Sequence, residues 1–156
     1  MKALIISDIH SNIYALEAIW AQERDNDIIY CAGDLVDYGP FPKEVLDWVR
    51  AQTFCSPKND LITRLILGHT HRQAIRHLSD TLLWLNPGSV SYRRSDDPDQ
   101  TTHYATITDG VISLKRLPYS LGPLRRYVRQ VSLKESEVRT AERFFGPRET
   151  SPEVNG

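Results

Sequence analysis

The chain has 156 residues, enough for one domain with a substantial buried core. Its 19 basic residues against 20 acidic ones give a formal charge of -1, with 40% hydrophobic and 25% charged residues, which argues against a nucleic-acid-coating or membrane-surface protein. Two cysteines supply no disulfide framework, and no apolar run approaches the roughly 20 residues of a membrane span.

Lys2 to Ser7 reads as a strand buried on both faces, because it is apolar without alternation. Its opening Ala3-Leu4-Ile5-Ile6 is too short for a signal-peptide core, so a cytoplasmic protein is expected. Asn12 to Arg24 follows as a helix, with Ser11 or Asn12 as cap and Ile13, Leu16, Ile19 and Trp20 at helical spacing. Asp27 to Ala32 is a second strand; Cys31 within it reads as a small core residue, and Cys55 has no assigned role. After the loop Tyr38-Gly39-Pro40-Phe41-Pro42, Pro42 opens a helix with Val45, Trp48 and Val49 on one face.

Thr53 to Cys55 and Leu61 to Leu67 are read as strands, and the chain then turns β-rich. Strands are expected over Gln73–Leu78, Thr81–Leu85, His103–Thr108 and Val111–Leu117, with turns at Asp80 and at Asp109-Gly110. Asn86-Pro87-Gly88-Ser89 breaks the chain between strands, and Arg93 to Thr102 is a polar loop. Leu124 to Val131 and Lys134 to Phe145 look helical, and Arg148 to Gly156 reads as a disordered tail. The order βαβα followed by a β-rich half implies an α/β layered domain rather than a simple doubly wound sheet.

Ser7-Asp8-Ile9-His10, Gly33-Asp34 and Gly68-His69-Thr70-His71 each follow an apolar run, so all can converge at one sheet edge. In extended backbone, residues two apart point the same way, so Asp8 and His10 can grip one ion, and His69 and His71 repeat the arrangement. Asp34 can stand between them, since a carboxylate bridges two cations. Carboxylate with imidazole suits Mn, Fe, Zn or Ni. Two such ions about 3.5–4 Å apart would hold a bridging hydroxide and bind both oxygens of an in-line displacement at phosphorus. The N-terminus of the first helix, near Asn12, favours a phosphate at the same edge.

Each piece alone has a plainer reading: Asp8 as a helix-entry cap, Gly33-Asp34 as a turn, the histidines as exposed loop residues. Their joint order favours a metal site. His77 and His103 read as structural, and Trp20 and Trp48 as core. An aspartyl-nucleophile phosphatase is disfavoured, because the position two after Asp8 is His10 rather than a second carboxylate.

These strings resemble the calcineurin-like metallophosphoesterases, in particular the small prokaryotic phosphodiesterases and the diadenosine-tetraphosphatase type. The resemblance extends over Ser7–Asn12, Gly33–Pro40, Gly68–Arg72, Asn86–Val90 and Leu117–Tyr119. It implies a layered sandwich of two mixed β-sheets flanked by helices. It also implies that Asp8, His10 and His71 bind a first metal, that Asp34 bridges, and that His69 binds a second. Asn12, Tyr38 and Arg72 lie beside the ligands as candidates for contact with a phosphate or base, and packing or capping is an equal alternative for each.

The family's central Gly-Asn-His and His-Gly motifs have no full counterpart here. The comparable place reads Pro57-Lys58-Asn59-Asp60, no histidine occurs between His10 and His69, and the domain reads as shortened in the middle. Asn59 replaces the family's metal-binding Asn only if the following His is deleted. The expectation is therefore two divalent ions in the family, Mn foremost, but one strong site in this chain. Hydrolysis of a phosphate-ester small molecule or nucleotide would then be impaired by the incomplete second site. The alternative is an inactive scaffold of the same fold that binds a protein partner. Residues 1–119 are expected to form the core, 120–147 a helical extension packed on it, and 148–156 a tail, with no membrane association.

Overall fold

Lys2–Ile6 (β1) is apolar throughout because both of its faces are covered. Leu4 and Ile6 enter one hydrophobic cluster, Ala3 and Ile5 another. The computed structural model describes residues 1–52, 64–91, 101–130, 134–136 and 139. Within them β1 pairs in parallel with β2 (Ile28–Cys31) and antiparallel with β6 (Thr102–Thr108), which forms a hairpin with β7 (Val111–Leu117). The resulting order is β2-β1-β6-β7.

A smaller sheet runs β3 (Arg64–Ile66), β5 (Leu83–Asn86), β4 (Ala74–His77), with β3 and β5 parallel. Ile66, Leu83 and Leu85 of this sheet pack with Ala3, Ile5, Ala105 and Ile107, so the two mixed sheets lie face to face. The opposite face of the larger sheet carries α1 (Ile13–Gln22), α2 (Pro42–Arg50) and α3 (Gly122–Gln130). Helices, sheet and sheet thus form three layers, as the α/β layered reading requires.

Local chemistry sets the element ends. The Asn12 carboxamide oxygen accepts from the Ala15 N–H at 3.2 Å, so Asn12 rather than Ser11 caps α1. Pro42 opens α2, with Glu44 in its first turn and Arg50 in its last, each matching the helix dipole. Asp109 and Gly110 both have positive φ (48° and 86°), which gives the β6–β7 turn the twist a two-residue hairpin needs. α3 contributes Leu124 and Val128 to the helix-side core, and Tyr127 packs on Phe41 at 4.4 Å between ring centroids.

Some sequence expectations are revised. β5 starts at Leu83, not Thr81, because Ser79 Oγ accepts from the N–H groups of Thr81 and Leu82 and widens the turn beyond Asp80. His77 is exposed on β4, an outer strand of its sheet, rather than a packed structural residue. His103 is buried. Trp20 and Trp48 meet edge to face at 5.5 Å but are only half-buried, flanking the core instead of filling it. Cys31 is also half-buried. The readings for Thr53–Cys55, Asn59 and the tail lie outside the described residues, as do most of those for 93–102 and 134–145. Among the described residues no helix is long and apolar enough to cross a membrane.

Candidate metal centre

The loops that leave β1, β2, β3 and β5 meet at one edge of the sandwich, and backbone hydrogen bonds lock them together. Asp8 N donates to Gly33 O (3.2 Å), His10 N to Asp34 O (3.0 Å) and Ser11 N to Leu35 O (3.0 Å). From the other sheet, Val90 N donates to Ser7 O and Ser91 N to Asp8 O. Such edges, outside the carboxyl ends of parallel strands, are where α/β folds bind ligands.

Among the described residues, positive φ in non-glycine residues is concentrated here. Asp8, His10, Ser11, Asp34, Asp37, Tyr38, His69 and His71 all have positive φ. Left-handed conformations cost of order 1–3 kcal/mol each in non-glycine residues and persist only where surroundings enforce them. This revises the reason for convergence: Asp8 and His10 do not alternate along extended backbone but turn together in a tight loop. Gly68 is required by the close approach, since a Cβ there would collide with the Asp8 carboxylate and sit 2.6 Å from Ser7 Oγ.

Asp8, His10 and His71 form the buried floor. Asp8 Oδ1 lies 3.1 Å from His71 Nε2 and 3.9 Å from His10 Nε2, and the two Nε2 atoms are 3.4 Å apart. Around an ion with bonds of about 2.0–2.2 Å, tetrahedral ligand atoms stand about 3.3–3.6 Å apart. The observed edges bracket that spacing, so one carboxylate and two imidazoles fit a single divalent cation with room for a further ligand. The protonation states agree. Burial pushes the Asp8 carboxyl up, but hydrogen bonds from His71, Ser7 and the His69 N–H outweigh it and hold the group below its usual value. Burial, then the neighbouring His71, pushes His10 down and keeps its imidazole neutral, the form that binds metal.

Above this floor opens a pocket of about 400 Å³, lined also by Asp34, Asp37, Tyr38, His69 and Thr70. Asp34 and His69 are exposed and stand outside the three-residue cluster, although they border the same space. His69 contributes through its backbone as well, its N–H lying 3.0 Å from both Asp8 oxygens. The Asn12 side chain is engaged elsewhere: besides capping α1, its amide donates to Tyr119 Oη at 2.8 Å. Asn12 and Arg72 are not among the residues lining the pocket, and Asn59 lies outside the described residues.

Two supporting residues, Ser7 and Asn86, belong to motifs named above but had no individual role assigned from sequence. Ser7 Oγ donates to Asp8 Oδ2 at 2.6 Å. The fully buried Asn86 amide donates to Gly68 O and to Thr70 Oγ1, pinning the His69–His71 loop. Their signal was a polar residue closing a buried apolar run. Asp37 also lines the pocket, from the same loop as Asp34.

Residues 1–54 match the family model described as calcineurin-like phosphoesterase. A stretch of 48 residues is 44% identical to an uncharacterized protein from Methanocaldococcus jannaschii, spanning 30% of this chain but only 20% of that protein. The fold is similar to that of a metallophosphoesterase from Sphaerobacter thermophilus, with a TM-score of 0.70 and 19% identity over 94% of this chain and 99% of the other. It is also similar to the phosphoesterase Yfce from E. coli, with a TM-score of 0.53 and 18% identity over 77% and 98% of the two chains. The first third of the chain thus matches the calcineurin-like phosphoesterase model, and its sandwich shares the fold of these metallophosphoesterases.

Proposed function

We propose that the chain is a metal-dependent hydrolase of phosphate monoesters or diesters, with Asp8, His10 and His71 as the ligands of its strong metal site. The observation that carries this reading is the convergence of Asp8 Oδ1 and the two Nε2 atoms at 3.1, 3.4 and 3.9 Å at the base of an open pocket. A divalent ion held there supplies charge for phosphoryl oxygens and acidifies water for attack. Mn is the first candidate, and Fe, Zn and Ni share the ligand preference.

The chain's own groups then have separate tasks. Asp8 stays ionised, His10 stays neutral, and Ser7, Asn86 and the His69 N–H fix their orientation. Asp34 and Asp37 place two carboxylates beside the pocket, so an anionic ester is repelled until cations offset them. Asp34 and His69 are the groups available to a second ion. With no imidazole to replace the family's central motif, that ion is held weakly and turnover is slow. The core is the segment 1–119, with 120–147 as a helical extension packed on it.

Metal analysis after incubation with Mn(II), followed by assay on bis(4-nitrophenyl) phosphate, tests the reading. One tightly held equivalent of Mn and slow hydrolysis lost in Asp8→Asn are expected. A chain that retains no divalent ion ends the proposal.

A scaffold reading is favoured by one different observation. Leu65, Leu67 and Leu78 of the small sheet and its flanks are 37–54% exposed, large apolar side chains of the kind protein partners cover. Metal retained at one equivalent with no hydrolysis of monoester or diester would select it.

A further inference from the structure

Tyr38 stands out among the residues that border the pocket. It is the pocket's only lining residue among those described that is neither charged, imidazole nor a small hydroxyl, and it is 51% exposed. An aromatic ring left half in water beside a polar pocket is a recurrent feature of binding surfaces, because its flat apolar body recovers area when a ligand covers it.

Its placement is enforced rather than incidental. Tyr38 has φ 55°, in the left-handed region, and its neighbour Asp37 also has positive φ. The loop is held there by Asp37 N donating to Ser11 Oγ at 3.1 Å and Phe41 N donating to Ser11 O at 3.2 Å. Gly39 lies so close to the His10 carbonyl that no side chain could replace its hydrogen. The Tyr38 ring packs edge-on against the His10 imidazole, centroids 5.1 Å apart at 62°. One part of the ring thus touches a proposed metal ligand while the rest faces the space a metal-bound ester would enter.

We propose that Tyr38 is a specificity-determining residue that stacks on a flat aromatic group of the ester, so the site prefers aryl or nucleoside phosphates to alkyl phosphates. This rests on the proposed metal site. A phosphate seated at Asp8, His10 and His71 places its ester substituent within the same pocket that Tyr38 borders. Asp34 and Asp37 oppose a negatively charged substituent, so a neutral ring is the complement of that wall.

Calorimetric binding of phenyl phosphate and of methyl phosphate to the Mn-loaded protein tests this without requiring turnover. Wild type is expected to bind phenyl phosphate about five- to tenfold more tightly. Tyr38→Ala should remove that preference while methyl phosphate affinity and Mn content hold, and Tyr38→Phe should retain it. Equal affinity of wild type for the two probes overturns the proposal, even if Tyr38→Ala fails to fold. So does a preference that survives in Tyr38→Ala. A parallel loss of both probes and of Mn in that variant also overturns it, since the ring would then act only by positioning His10. Absence of bound Mn in wild type would instead remove the metal reading beneath it, and bound Mn without hydrolysis would remove only the hydrolase reading.

Discussion

Two buried carboxylates at opposite ends of α1 are treated in opposite ways. Glu23, at the C-terminal end of α1, is 2% exposed and meets Lys115 Nζ at 2.6 Å, Lys2 Nζ at 2.9 Å and the Tyr104 hydroxyl at 2.8 Å. Asp8, before the N-terminal end of α1, is fully buried, and its carboxylate faces two histidines, His71 at 3.1 Å and His10, held neutral, at 3.9 Å. Burying a carboxylate is costly unless its charge is paired. The first site is compensated by the protein itself and serves stability. The second is held by hydrogen bonds from Ser7, His71 and the His69 N–H, within strained loops, and the proposed reading has a cation complete it.

Asp8→Asn is the sharpest way to break the comparison. It removes the anionic ligand while keeping shape, so Mn content should fall from one equivalent towards zero and hydrolysis by at least about 10²-fold. Stability of the metal-free protein should change far less than activity, which urea unfolding in chelator checks.

Glu23→Gln should do the reverse. It leaves two ammonium groups beside a neutral amide and should cost about 2 kcal/mol in urea unfolding, below the usual range for a buried pair because both lysines are partly exposed. Mn stoichiometry should be unchanged. The pH dependence has a definite sign. Burial raises the Glu23 carboxyl, but hydrogen bonds from Lys115, Lys2 and Tyr104 bring it below its usual value. A depressed carboxyl adds stability above its unfolded pKa of about 4.3, which is lost as pH falls through the lower folded value. Acid unfolding of wild type should therefore be steeper below that point than in Glu23→Gln.

Asn86→Ala sharpens the comparison at the site. It leaves Gly68 O without a donor and frees the His69–His71 loop, so Mn affinity should drop about tenfold with the ligands themselves intact. Gly110→Ala has the smallest effect. Nothing lies within 4 Å of an added Cβ, so the cost of holding φ near 86° is purely that of the backbone, about 1 kcal/mol, with metal binding unaffected.

Much of this molecule was legible in its residues. β1, α1, β2, α2 and β7 announce themselves by periodicity and by Pro42 and Asp109-Gly110, because local sterics and burial pattern write directly into sequence. The three strings that border the pocket were legible for the same reason: carboxylate and imidazole groups, each closing an apolar strand. Their roles as loops rather than extended ends were not legible, since positive φ at Asp8, His10, His69 and His71 is imposed by contacts from distant segments.

What the order of residues determined alone is therefore much of the element order and the kind of side chain at the strand ends: apolar strands for a layered α/β core, carboxylate and imidazole at its edge. Only the tertiary structure decided which of these groups come together. His71 comes within 3.4 Å of His10 across 61 positions in the chain, while Asp34 and His69 stay at the exposed pocket wall. The reason is physical. Periodicity reports which face is buried, whereas the distance between side chains on different strands depends on how two sheets stack, and no local pattern carries that distance.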